Sequence, residues 1–252
     1  MKRVLNRDFE IFSSQLDGFI RDFSNSGIQF GKANRNSIKL FQLNNQTINI
    51  KSFKIPNIFN QIAYRFLRKS KAQRSFEYAN KLQNFDIGTP QPMAYYEFKS
   101  LFLFKKSYYI SAHLDADLTF RELSRDFNYP NHNEILRAFT RFTFELHNKG
   151  VLFLDHSPGN TLIKKVDDVY NFFLVDLNRM QFKSLGFDER IKNFSRLTPH
   201  QYIVEIMSDE YAKCLNVDYD TVFNLMWTYT QDFQSKHLRK KRLKQKLKFW
   251  KQ

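Results

Sequence analysis

Three polar residues stand out for their type and spacing: Asp155 and Asn160 in Asp155-His-Ser-Pro-Gly-Asn160, and Asp176 at the end of Phe172-Phe-Leu-Val-Asp176. Two carboxylates and one carboxamide are what phosphoryl transfer from a magnesium nucleotide requires. One carboxylate orients or deprotonates the attacking hydroxyl, while the other carboxylate and the amide oxygen hold magnesium against the phosphates. Asp-x4-Asn alone is a weak signal, because both residues also serve turns. Here it follows an apolar strand, Val151–Leu154, Pro158-Gly159 precedes the Asn, and an apolar triplet follows it. Asp176 closes an apolar run, where a charge must be solvated, paired or metal-bound.

A nucleotide site also needs cations. Lys51 lies on the alternating stretch Thr47–Lys51 and could reach phosphates, with Lys54 as the competing choice. Between Asn57 and Gln83 the one acidic residue is Glu77, set among Arg65, Arg68, Lys69, Lys71, Arg74 and Lys81; it is the expected ion-pair partner of Lys51. Gly27–Ser37 sits where a phosphate-covering loop belongs, and Lys32, Arg35 or Asn36 could touch phosphates there, although the stretch lacks Gly-x-Gly-x-x-Gly spacing. The six histidines are scattered without zinc spacing. There is no Walker A sequence, Gly-x-Ser-x-Gly elbow or dinucleotide fingerprint.

These residues must be positioned by strands early in the chain and helices later. Ser37–Leu43 and Thr47–Lys51 alternate about Asn44-Asn45, and Met93–Phe98 and Tyr108–His113 are further strands, so an antiparallel sheet is expected near the N-terminus. Helical spacing runs through 8–24 and, as one helix, through 58–84; Gly88-Thr-Pro-Gln-Pro92 breaks the chain. Later helices are expected at 117–126, 133–149, 187–196, 199–215 and 218–250, with the motif loop and a hairpin at 151–176. The pattern predicts an α+β, bilobal fold: residues 1–112 as a nucleotide-binding lobe with a sheet and one main helix, and 113–252 as a helical lobe with the catalytic loop and a basic tail.

Composition narrows the class. With 252 residues, 42% of them hydrophobic, and only 7 Gly and 6 Pro, the chain is globular rather than disordered or linker-rich. The net charge of +15 points to an anionic partner. One cysteine, Cys214, excludes an intramolecular disulfide. The charged N-terminus and the lack of a spanning apolar run predict a cytoplasmic protein. Lys236–Gln252 carries many basic residues and no acidic one, with Leu238, Leu243, Leu247 and Trp250 near helical spacing; it suits an anionic membrane surface ahead of nucleic acid or bulk solvent.

Taken together, Ile48-Asn-Ile-Lys-Ser-Phe-Lys54, Arg68-Lys-Ser-Lys-Ala-Gln-Arg-Ser-Phe-Glu77, Gly88-Thr-Pro-Gln-Pro92, Asp155–Asn160 and Leu174-Val-Asp-Leu-Asn-Arg179 resemble the lipopolysaccharide-core kinases, the Kdo and heptose kinase family with a protein-kinase-like fold. The resemblance covers roughly residues 25–200. It implies that Lys51 binds the nucleotide phosphates and pairs with Glu77, that Asp155 is the base or orienter, and that Asn160 and Asp176 ligate Mg2+. It also implies ATP as donor, a lipid A–core sugar hydroxyl on Kdo as acceptor, and work at the cytoplasmic face of the inner membrane. The sequence departs from protein kinases at Phe153 and Leu154, where His and Arg are usual, and at Asp176-Leu-Asn178 in place of Asp-Phe-Gly; no Ala-Pro-Glu follows. Those departures fit a constitutive kinase of a non-protein substrate. A kinase of another substrate and a non-catalytic scaffold binding membrane or nucleic acid are the alternatives.

Overall fold

Strand alternation in the first half of the chain builds a six-stranded antiparallel sheet. In the computed structural model, which describes residues 1–31 and 36–249, its strands are β1 (Lys2–Leu5), β2 (Ile28–Phe30), β3 (Asn36–Leu43), β4 (Gln46–Phe53), β5 (Pro92–Lys99) and β6 (Phe104–Ala112). Their spatial order is β1-β5-β6-β4-β3-β2. Helices α1 (Ser13–Arg21), α2 (Ile58–Phe66) and α3 (Lys71–Gln83) interrupt them. This unit comprises Met1–Asp115 together with Leu174–Arg179.

The sheet is covered on both faces. Ile48 and Ile50 of β4 pack with Leu16 and Ile20 of α1, whereas Phe53, on the opposite face of the same strand, packs with Ala72 and Phe76 of α3. Lys51 shares the α3 face with Phe53, and its ammonium lies 5.4 Å from the Phe53 ring centroid. The single helix expected over 58–84 is two. Ser70 caps α3 by accepting from the Gln73 amide at 3.1 Å, and the chain at 67–70 leaves the helical path to make that cap. Strand β1, unexpected from sequence, pairs Val4 with Tyr95 and Leu5 with Ala94. Four residues give too short an alternation to read without the partner strand.

The second unit, Ala116–Phe173 with Met180–Gln252, is mainly helical. Its strands are β7 (Leu118–Thr119), β8 (Val151–Phe153), β9 (Thr161–Val166), β10 (Val169–Leu174) and β11 (Met180–Phe182), in a three-stranded sheet β10-β9-β7 and a pair β11-β8. Its helices are α4 (Phe120–Leu123), α5 (His132–Asn148), α6 (Phe187–Lys192), α7 (Gln201–Leu215) and α8 (Tyr219–Phe249). The core joins Leu136 and Phe139 of α5 with Phe194, Met207 and Tyr211, and with Met226 of α8. Arg137 of α5 reaches both Asp209 and Glu210 of α7, the latter at 3.0 Å, and Arg141 adds a second cation to Glu210. The architecture is α+β, an antiparallel sheet unit and a helical unit with small inserted sheets. No helix among the described residues is long and apolar enough to cross a membrane.

Candidate active site

The loop bearing Asp155 begins where β8 ends. All three β8 residues are buried, and Phe153 pairs with Met180 of β11. At the start of β8, Gly150 has φ +69°, and a Cβ there would lie 2.8 Å from the Lys183 carbonyl oxygen, so this approach needs glycine. Beyond Phe153 the chain turns twice: the His156 amide donates to the Phe153 carbonyl at 3.1 Å and the Asn160 amide to the Ser157 carbonyl at 2.9 Å. Pro158 starts the second turn with its fixed φ.

Side chains then hold the loop. Asn160 Nδ2 donates to the Asp155 carbonyl at 2.8 Å, bracing the loop across its own width. Arg196, from the turn Asn193–Arg196, donates through Nη1 to the Leu154 carbonyl at 2.8 Å and places Nη2 2.8 Å from Asp155 Oδ1. Asn193 donates to the Phe153 carbonyl at 2.9 Å, its Oδ1 lies 3.1 Å from His147 Nε2, and His147 Nδ1 lies 2.7 Å from the Tyr211 hydroxyl. The Asp155 side chain nonetheless stays 23% exposed. Gly159 lets the Arg121 guanidinium come close, since a Cβ would stand 2.3 Å from its Nη2.

Sequence reasoning missed Arg196, Asn193 and Arg121. Each carries a common polar side chain in a short turn or helix with no motif around it, and only the paired β8 and β11 and the packed α5 and α7 bring the first two to the loop. His156, inside the motif, is no proton carrier. It is fully buried beside the rings of Phe153, Phe139 and Phe194, and neither ring nitrogen has a protein hydrogen-bond partner. Burial, with His147 nearby, pushes its pKa down to about 3; Asn193 opposes the shift without reaching hydrogen-bond geometry. His147 is likewise driven by burial to about 4, so both rings are neutral near pH 7.

The sheet unit carries the other set. Lys51 Nζ lies 2.8 Å from Asp176 Oδ1, and Asn178 Nδ2 donates to the same oxygen at 2.6 Å. Asp176 has φ +59°, a left-handed conformation that non-glycine residues adopt only when surroundings enforce it. Those surroundings are the Gly88-Thr-Pro-Gln-Pro92 segment. The Leu174 amide donates to the Gly88 carbonyl at 2.8 Å, and the Thr89 hydroxyl donates to the Leu174 carbonyl at 2.9 Å. The break seen in the sequence is thus the anchor of the Asp176 segment.

The expected Lys51–Glu77 pair is not formed. Glu77 accepts from Lys69 at 2.8 Å and from Gln73 Nε2 at 2.9 Å, both close along α3 and its entry, while Lys51 takes the anion that segment 174–179 brings to β4. Sequence identified Glu77 as paired but offered several cations and no means of choosing among them. Lys32 and Arg35 lie outside the described residues; the flanking strands β2 and β3 pair antiparallel, Phe30 opposite Ile38.

A solved structure of WaaP in complex with acyl carrier protein aligns with this chain at a TM-score of 0.63 and 16% identity, covering 92% of this chain and 99% of that one. The fold is similar to that of WaaP. No protein-family model matches the sequence, and no curated protein matches it. At this identity the likeness to WaaP is one of backbone architecture, and the chemistry of the site rests on the side chains described above.

Proposed function

We propose that the chain is an ATP-dependent kinase that phosphorylates a sugar hydroxyl of the lipopolysaccharide inner core, on Kdo, at the cytoplasmic face of the inner membrane. The observation that carries the reading is Asp155: on a WaaP-like fold, its part-exposed carboxylate stands at the start of a loop braced by Asn160, Asn193 and Arg196. In this reading the acceptor oxygen bonds to the γ-phosphorus, the bond to the ADP oxygen breaks, and the hydroxyl proton passes to the Asp155 carboxylate. Arg196 fixes the carboxylate so that it meets the hydroxyl without reorganisation. Lys51 serves the nucleotide phosphates once it exchanges Asp176 for them.

Asn160 and Asp176 each offer a hard oxygen of the type that holds magnesium. Asn160 engages the Asp155 carbonyl through Nδ2, and Lys51 and Asn178 both meet Asp176 at Oδ1, so the amide Oδ1 of Asn160 and Oδ2 of Asp176 are the oxygens to offer a metal. Hard oxygen ligands of this kind suit Mg2+ completed by phosphate oxygens and water, and the ion would neutralise charge on the transferring phosphate. Asn160 and Asp176 would hold it.

Residues 235–246 of α8 are exposed and include Lys236, Arg239, Lys240, Lys241, Arg242, Lys244 and Lys246, a cationic rod for the anionic headgroups around lipid A. Because the WaaP structure is a complex, an acyl carrier protein is the protein partner to try first. Mass spectrometry of Kdo-lipid A after incubation with the protein and Mg-ATP tests the reading. One added phosphate supports it; an unchanged acceptor, with ATP consumed on another substrate, points to a different kinase. No melting-temperature rise with Mg-ATP would favour a scaffold.

A further inference from the structure

Helix α2 is unusual in burying none of its residues. Ile58, Phe59, Ile62 and Phe66 recur at three- and four-residue intervals and form one stripe on the helix surface. The opposite side is the one that packs: Tyr64 meets Phe104 with ring centroids 5.7 Å apart. Arg65 Nε donates to the Ser100 carbonyl at 3.1 Å, which ties α2 to the turn between β5 and β6. That turn presents Leu101 and Phe102. These six apolar side chains are 45–79% exposed. A cluster of this kind on a folded unit marks an interaction surface, unlike single scattered apolar residues.

The charge around the stripe identifies its partner. From Ser52 to Phe76 the chain has no acidic residue, and it carries Lys54, Arg65, Arg68, Lys69, Lys71 and Arg74, of which Lys69 pairs with Glu77; from Phe98 to Leu114 it again has none, with Lys105 and Lys106 after the turn and Lys99, paired with Glu97, before it. An apolar stripe rimmed by cations is the pattern of a helix lying in the interface of an anionic bilayer, with aromatic and aliphatic side chains below the headgroups and ammonium groups among the phosphates. We propose that α2 and the β5–β6 turn form a membrane-insertion face specific for anionic phospholipid, separate from the basic end of α8. The proposal goes beyond the choice of acceptor, since vesicle binding is read without nucleotide.

The test is sedimentation of the full chain with vesicles of phosphatidylcholine alone and of phosphatidylcholine with one quarter phosphatidylglycerol. The wild type is expected to partition at least tenfold more strongly onto the anionic vesicles than onto the neutral ones. Binding should persist in part at about 0.5 M salt, where the Debye length is only about 4 Å, because apolar insertion is not screened. The double variant Phe59→Ser/Phe102→Ser, at exposed positions that leave the core intact, is expected to lose at least tenfold in vesicle partitioning with unchanged circular dichroism. A chain ending at residue 236 should keep the salt-resistant part. Unchanged partitioning of the double variant overturns the proposal. So does a face that ignores vesicles but binds acyl carrier protein through Phe59 and Phe102. Phosphate transfer to detergent-dispersed acceptor, measured on the same samples, reports on the kinase reading independently.

Discussion

Arg196 Nη2 lies 2.8 Å from Asp155 Oδ1, while its Nη1 holds the carbonyl of the preceding residue, Leu154, at 2.8 Å. One guanidinium therefore fixes both the carboxylate and the backbone that carries it, a two-point restraint a lysine cannot reproduce. Arg196→Ala is expected to lower kcat by about 10–100-fold with little change in KM for ATP, as for a misplaced catalytic group. Arg196→Lys should recover part of that loss. Equal falls in kcat and in nucleotide affinity would point to general unfolding of the loop instead.

Lys51 and Asp176 form an ion pair that, under the proposed function, a nucleotide would open. Lys51→Met should abolish the melting-temperature rise expected with Mg-ATP and lower turnover by about 100-fold or more. Glu77→Gln is the informative contrast: because Glu77 pairs with Lys69 and Gln73, its loss should change activity by less than about fivefold, in line with an exposed ion pair. A collapse of activity in Glu77→Gln would show that Lys51 changes partners during turnover.

The buried histidines give the stability a pH dependence. His147 and His156 have folded pKa values near 4 and 3, below the value of about 6.5 in an unfolded chain. Between those limits the unfolded state binds more protons, so stability falls as pH drops. The contribution is complete above about pH 6.5 and is lost on descending through about pH 4 and then 3, by about 3–5 kcal/mol per residue in the fully buried limit. Melting curves from pH 7 to 4 should show this, and His156→Leu should flatten the slope. A variant as steep as the wild type would assign the acid sensitivity to other groups.

Gly150 joins a left-handed backbone to a close contact with Lys183. Gly150→Ala should cost about 1–3 kcal/mol, measurable as a lower denaturant midpoint, because both the conformation and the space oppose a methyl group. Since β8 leads directly into the Asp155 loop, turnover should fall as well. Wild-type stability in this variant would mean that β11 yields without penalty.

Much of the frame was readable from alternation and helix spacing: β3, β4, β5, β6 and α5 each have a strong local period. What escaped reading was non-local. Strand β1 is defined by its partner β5, the break between α2 and α3 by a serine cap, and Arg196 by packing around β8 and β11. Asp155 and Asn160 could be singled out because their loop motif is contiguous, and Asp176 because it closes an apolar run. The partner of Lys51 was not, because choosing between Glu77 and Asp176 requires knowing where Gly88 and Thr89 anchor the distant segment.

In the proposed reaction Asp155 directs phosphate from ATP to a core sugar hydroxyl. Transfer of label from γ-labelled ATP to Kdo-lipid A, compared between the wild type and Asp155→Asn, tests it most directly. Labelled glycolipid is expected with the wild type and a loss of about 100-fold or more in the variant, with both proteins still stabilised by Mg-ATP. Equal labelling by the two proteins, or none by a folded, ATP-binding wild type on any core glycolipid, would contradict it.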